Sequence, residues 1–218
     1  AGLQRVSAAA AAVAAGGVAM TLAPAASSVR PDELARYNRL AATWWNPQGP
    51  MRPLHVLNRL RQGRVQALAE AHFGRPPGAG LAGLRVLDVG CGAGLLCEPL
   101  ARAGAAVTSI DAAARSIAIA RDHAAAGGLD IVYRAGEPSQ ALQPGERFDV
   151  LLLLEVVEHV QDMPAFVRHV LDHLAPGGLV VASTLNRTWR SFLLAIVGAE
   201  WVLRLLPRGT HRWRDFVT

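Results

Sequence analysis

The chain has 218 residues, 51% of them hydrophobic and 18% charged, enough to bury the core of one domain with an appendage. Its two cysteines, Cys91 and Cys97, have no zinc-like partners and are too close to a tight turn for an unstrained disulfide, so a reducing compartment and small packing roles are expected. The formal charge is +5, and all 22 basic side chains are arginine; six of them lie from Arg187 onward against only Glu200 and Asp215. Such a C-terminal basic excess suits anionic lipid, nucleic acid or an acidic partner, and charge alone does not choose.

The first 31 residues carry Arg5, Arg30, several serines and the alanine run Ala8 to Ala15, with no acid before Asp32. That is the bias of a mitochondrial transit peptide, expected to be disordered. A secretory signal and a membrane span are rivals, disfavoured by the weakly apolar run and by Gly16, Gly17 and Pro24. Because the chain opens on Ala1, a longer natural N-terminus is expected.

After Pro31, Asp32 and Glu33 favour a helix start, with Tyr37, Leu40, Trp44 and Trp45 on its apolar face. A second helix is expected from Leu54 to Phe73, and Pro76-Pro77-Gly78 reads as a linker. Residues 32–78 would then form a helical cap over the main domain.

Arg85 to Val89 is short and β-branched, and it runs into Gly90-Cys91-Gly92-Ala93-Gly94 before a helix from Leu95 to Ala103. Pro99 points to a late start or a kink in that helix. Glycines without a Cβ let a cofactor approach the backbone, so Gly90 and Gly92 are candidate cofactor contacts. The turn looks like an S-adenosylmethionine (SAM) loop; a dinucleotide fingerprint would want glycine where Leu95 stands. A strand from Ala106 to Ile110 ends in Asp111, where a carboxylate can accept both ribose hydroxyls. An ordinary tight turn and a helix-capping Asp111 are the plainer alternatives.

A helix from Ala113 to Ala126, a strand near Ile131 to Arg134 and a loop around Gln140 to Gly145 follow. Val150 to Leu154, led in by Phe148 and Asp149, is an unbroken apolar run, as in a parallel strand buried on both faces. At its end stand Glu155, Glu158 and His159; if a helix starts there, all three face one point. Such a set suits a divalent cation, magnesium or manganese before zinc, but also helix capping or metal-free acid–base work. A helix holding Phe166, Val167, Val170 and Leu174 is expected to stop at Ala175-Pro176-Gly177-Gly178 and turn into a fifth strand, Leu179 to Thr184. The alternation predicts a doubly wound α/β sheet over residues 79–187, with ligands at the strands' C-terminal ends.

Residues 188–218 form an apolar and basic segment. Within Trp189 to Leu206 the uncharged run Ser191 to Ala199 is too short to span a bilayer. An interfacial helix and a helix packed on the sheet or a partner are both open.

Together these blocks resemble the ubiquinone-biosynthesis O-methyltransferases, from about Asp32 to the last residue. The carriers are Trp44-Trp45, Pro53-Leu54-His55, Asn58 to Arg61, Asp88 to Gly94, Glu155 to Val160, Thr184 to Arg187 and Pro207 to His211. The resemblance implies a class I SAM-dependent fold in which Arg61, Gly90, Asp111 and the backbone at Leu154 contact SAM. It implies Mg2+ at Glu155, Glu158 and His159, activating a catechol with no separate side-chain base. The implied substrates are polyprenyl dihydroxybenzoate and demethylubiquinol intermediates. The implied setting is the matrix side of the mitochondrial inner membrane, peripheral to the lipid surface, with other ubiquinone-biosynthesis proteins as partners and no nucleic acid. Another small-molecule methyltransferase, or a non-catalytic SAM-fold scaffold, is the alternative. Gly136-Glu137-Pro138-Ser139 match the family poorly, which leaves the adenine contacts unassigned. Relatives continue past the position of Phe216 with a final strand pair, so the chain is expected to be a fragment with an uncovered fifth strand, poorly soluble or inactive.

Overall fold

The computed structural model describes residues 31–184. The expectations for residues 1–30 and for the apolar and basic segment beyond Thr184 lie outside the described residues. Five parallel strands form one sheet: β1 Arg85–Val89, β2 Ala106–Asp111, β3 Val132–Ala135, β4 Phe148–Leu154 and β5 Leu174–Ser183. Their order is β3-β2-β1-β4-β5, so the winding reverses between β1 and β4. Helices α1 Pro31–Leu40, α2 Arg52–His72, α3 Cys97–Arg102, α4 Ala114–Ala126, α5 Pro138–Ala141 and α6 Met163–Leu171 complete the fold. No helix among the described residues is long and apolar enough to cross a membrane.

The central strands are covered on both faces, and their side chains divide by parity. Val86, Val150 and Leu152 join one buried cluster with Val65 and Ala69 of α2, Leu100 of α3 and Ile117 of α4. Leu87, Val89, Leu151 and Leu153 join the other, against Phe166 and Val170 of α6. Continuous apolar runs in β1 and β4 are what a period of two requires when both faces are buried. A smaller cluster joins the cap to the glycine turn through Ala41, Trp44, Met51, Ala93 and Leu95.

Several local expectations are corrected. The helix after the glycine turn starts late, at Cys97, which places Pro99 in its first turn, where its missing N–H costs nothing. The loop expected around Gln140 holds one turn of helix, α5, with Pro138 at its start and a capping box between Glu137 and Gln140. Leu174 is not helical: α6 ends at Leu171, and β5 begins at Leu174. The strand runs through Pro176-Gly177-Gly178 by a bulge, since Leu174 pairs with Phe148 while Leu179 pairs with Val150. Gly177, at φ +72°, supplies the left-handed residue that bulge needs. Among the described residues β5 is an edge strand, half-buried along Leu179 to Val181 and exposed at Ala182.

Candidate active site

Reversal of winding leaves a crevice outside the C-terminal ends of β1 and β4. There a cavity of about 830 Å³ opens, walled by the strand ends on one side and by α1 and α2 on the other. All eight candidates line it: Arg61, Gly90, Gly92, Asp111, Leu154, Glu155, Glu158 and His159.

Gly90 and Gly92 adopt φ +79° and +57°, the left-handed conformation that favours glycine. A Cβ on Gly90 would lie 2.7 Å from Val156 Cγ2, and one on Gly92 would collide with the edge of the Trp44 ring. The space a side chain would take is thus filled by the protein's own residues as well as bordering the cavity. Sequence reasoning assigned that space to a cofactor alone; Trp44 and Val156 lie too far away in sequence for spacing to reveal them.

Asp111 ends β2 and reaches back across the turn. Its Oδ2 accepts from the Gly92 N–H at 2.8 Å, and its Oδ1 accepts from the Ala113 N–H at 2.7 Å. Asp111 thus braces the turn and the residue before α4 without capping that helix, whose N-cap Ala113 receives no side-chain cap, and lone pairs remain on both oxygens for ribose hydroxyls. Burial pushes its carboxyl up, opposed by those two backbone bonds. Beneath the turn, buried Asp88 rises to about 6 through burial, opposed by the Cys97 thiol, which donates to Oδ2 at 3.3 Å. Both cysteines are free and buried, and burial raises both thiols, as expected of packing residues.

Arg61 projects from α2 into the cleft, where its Nη2 lies 3.0 Å from Glu155 Oε1. Glu155 follows β4 directly and is held at φ +57°, a strained conformation for a residue with a Cβ. The Ser183 hydroxyl donates to the same Oε1 at 2.9 Å. Glu158 is buried and rises to about 7, chiefly through burial and further through the neighbouring charge of Glu155. Thr184 Oγ1 donates to Glu158 Oε2 at 3.1 Å.

The expected three-residue metal set does not assemble. Val157–His159 forms a single 3-10 turn rather than an α-helix, so Glu155 and His159 do not share the face that i, i+4 spacing assumes. His159 turns to the cap instead: its Nδ1 lies 3.6 Å from Glu33 Oε2 and its Nε2 3.4 Å from the Tyr37 hydroxyl. Burial, with Glu33 nearby, pushes the Tyr37 phenol upward. Among the described residues no three His, Cys, Asp or Glu side chains converge to hold a metal. The pair Glu155 and Glu158 does converge, and two carboxylates in contact fit a hard cation.

Other lining groups escaped sequence reasoning. Ser116 Oγ and Trp44 Nε1 are buried beside the cavity with no hydrogen-bond partner among the described residues, as expected of groups that a polar ligand satisfies. Gly136, Glu137 and Pro138 line it from the β3–α5 turn, the stretch where the poor family match left the adenine contacts unassigned. The second tryptophan of the pair faces elsewhere. Trp45 stacks on His123 at 3.4 Å between ring centroids and donates Nε1–H to the Ala93 carbonyl at 3.0 Å. His123 in turn lies 2.5 Å from buried Glu98, so one residue clamps the cap to the turn.

A family model described as a methyltransferase domain matches residues 54–217. A ubiquinone biosynthesis O-methyltransferase from Methylobacterium nodulans is 53% identical over 193 residues, covering 88% of this chain and 78% of the relative. One from Azorhizobium caulinodans is 50% identical over 198 residues, covering 88% and 77%. Among solved structures, the plantazolicin methyltransferase BpumL in complex with SAH superposes with a TM-score of 0.57 at 18% identity, covering 86% of this chain and 72% of that one. Magnesium protoporphyrin IX methyltransferase from Synechocystis PCC 6803, with bound SAM, gives 0.51 at 23% identity, covering 68% and 74%. At those identities the likeness carries the fold alone. The expected class I architecture is borne out, and the chain belongs to the ubiquinone biosynthesis O-methyltransferase family.

Proposed function

We propose that this chain transfers the methyl group of SAM to a phenolic oxygen of a polyprenylated catechol, the dihydroxybenzoate and demethylubiquinol intermediates of ubiquinone biosynthesis. The observation that carries this reading is a shared cavity. Groups suited to SAM (Arg61, Asp111 and the Gly90–Gly92 backbone) line the same cavity as the Glu155–Glu158 pair and an apolar wall of Leu54, Leu57, Val160 and Phe166. Arg61 has the fixed charge to take the cofactor's carboxylate, and Asp111 the lone pairs to take its ribose. The apolar wall suits a prenyl tail.

In the transfer, a phenolate lone pair attacks the methyl carbon while the carbon–sulfur bond breaks, and its electron pair stays on sulfur. Holding oxygen and methyl at near-attack distance supplies much of the acceleration. Glu155 and Glu158 would hold Mg2+, which when bound supplies Lewis acidity that lowers the phenol pKa. A second reading is favoured by the position of Glu158, raised to about 7, since a carboxylate titrating near neutrality can itself accept the phenol proton.

The test is transfer of a radiolabelled methyl from SAM to a short-tailed catechol, with magnesium and with chelator, by wild type and Glu158→Gln. Methylation that chelator abolishes supports the metal-assisted form, and methylation indifferent to chelator supports Glu158 as base. Full activity of Glu158→Gln overturns both.

A further inference from the structure

Glu33 and Tyr37 lie one turn apart on the same face of α1, and between them they address both nitrogens of His159, in the 3-10 turn after β4. The Glu33 side chain is buried, and its Oε2, 3.6 Å from His159 Nδ1, has no hydrogen bond among the described residues. A buried carboxylate oxygen without a donor favours the imidazole tautomer that turns an N–H towards it. That assigns the proton to Nδ1 and leaves a lone pair on Nε2. Nε2 therefore accepts the Tyr37 O–H at 3.4 Å, with the phenol ring edge-on to the imidazole at 83°. Burial, reinforced by the Glu33, Asp111 and Glu158 carboxylates and opposed by Arg36, keeps that phenol protonated. With its one proton directed to His159, the Tyr37 oxygen has lone pairs left to accept a further bond. Tyr37 lines the cavity from the cap, as do the apolar Leu40, Met51 and Leu54, and the charges of Asp111 on the cofactor side and Glu158 on the acceptor side both reach its oxygen.

The geometry points to Tyr37 as the residue that chooses which catechol oxygen is methylated: its oxygen accepts the O–H of the neighbouring, non-reacting hydroxyl, with Glu33 and His159 as positioning residues that turn it to do so. The inference rests on the proposed function and names how that same cleft orients its acceptor. The reacting oxygen is claimed from the strand side, by Glu158 or by an ion held between Glu155 and Glu158, so a polar group on the facing cap wall is left for its neighbour. In the transfer the oxygen–carbon bond forms and the carbon–sulfur bond breaks, while the second hydroxyl keeps its proton in the bond to Tyr37. A ring turned over would present its other oxygen to the methyl. A tail held by the apolar wall would then carry the remaining hydroxyl away from Tyr37 and forfeit that bond.

The experiment uses an allyl-substituted catechol with two inequivalent hydroxyls, and the analogue that lacks the hydroxyl beside the reacting one. Calorimetry in the presence of S-adenosylhomocysteine measures the affinity of each for wild type, Tyr37→Phe and Glu33→Gln. The methylated isomers formed from the catechol with SAM are separated by chromatography and identified by NMR. Wild type should give one isomer. Tyr37→Phe keeps the ring and loses only the oxygen, so it should bind the catechol about 3- to 10-fold more weakly, bind the analogue as wild type does, and form both isomers. Glu33→Gln should also form both isomers at unchanged S-adenosylhomocysteine affinity, a change that a merely structural role would not produce. A single isomer from Tyr37→Phe, or wild-type affinity of that variant for the catechol, overturns the inference. So does an equal loss for catechol and analogue, since ring packing rather than the hydroxyl is then responsible. A single isomer from Glu33→Gln overturns the positioning role of Glu33. A wild type that binds the catechol and yields no methylated product counts against the proposed function, and the two affinities then decide the inference about Tyr37 on their own.

Discussion

Replacing Gly92 by alanine separates two demands that meet at one atom. Gly92 sits at φ +57°, and its missing Cβ is the space that the Trp44 ring occupies. An alanine forced into the left-handed region costs roughly 1–2 kcal/mol. Trp44 is 6% exposed and wedged among Ala41, Met51, Ala93 and Leu95, so it yields little, and overpacking adds about 1–3 kcal/mol. Gly92→Ala should therefore destabilise by about 2–5 kcal/mol, read as a fall in the urea midpoint at unchanged slope. Trp44→Ala alone costs about 3–5 kcal/mol through the cavity it leaves. In that background Gly92→Ala should cost only the backbone share, giving a coupling of about 1–3 kcal/mol. Additivity within ~0.5 kcal/mol refutes the collision, and a neutral Gly92→Ala refutes the backbone argument as well.

Arg61→Ala should weaken binding of S-adenosylhomocysteine about 10- to 100-fold by calorimetry, the worth of a charge-assisted bond to a carboxylate; unchanged affinity removes Arg61 from the cofactor site. Because Glu158 is raised to about 7 in the folded chain, its protonated form is favoured there, and its stabilising contribution fades as pH rises through that value. Glu158→Gln should accordingly match wild-type stability near about pH 4 and exceed it near about pH 8 by up to ~3 kcal/mol, and parallel denaturation curves at both pH values would contradict the assignment. Trp45→Ala should cost about 3–5 kcal/mol and Trp45→Phe about 1, since phenylalanine keeps the stack on His123 and loses only the bond to Ala93; equal losses would mean that the stack contributes nothing.

The strands and the turn were legible in the sequence because period and punctuation are local. Arg85 to Val89 runs into glycines, and the apolar run to Leu154 can be buried on both faces only in a covered parallel sheet. Asp111 was legible for the same reason, an acid at a strand's end. Contacts between distant segments were not. That Gly92 answers to Trp44, Gly90 to Val156 and His123 to both Trp45 and Glu98 depends on how the cap folds over the sheet. The metal set failed at a local choice: helical spacing was assumed at Glu155, but its left-handed backbone and the 3-10 turn after it send His159 to Tyr37 and Glu33. Leu174 misled because it continues the apolar spacing of α6, while the bulge through Gly177 admits it to β5.

The central claim is methyl transfer to oxygen within the cleft that holds Arg61, Asp111 and the two glutamates. Its most direct test incubates the chain with SAM bearing a deuterated methyl group and a polyprenylated catechol, then locates the label by mass spectrometry and NMR. The account predicts the deuterated methyl on a phenolic oxygen, and label on a ring carbon, or none in the product, would contradict it.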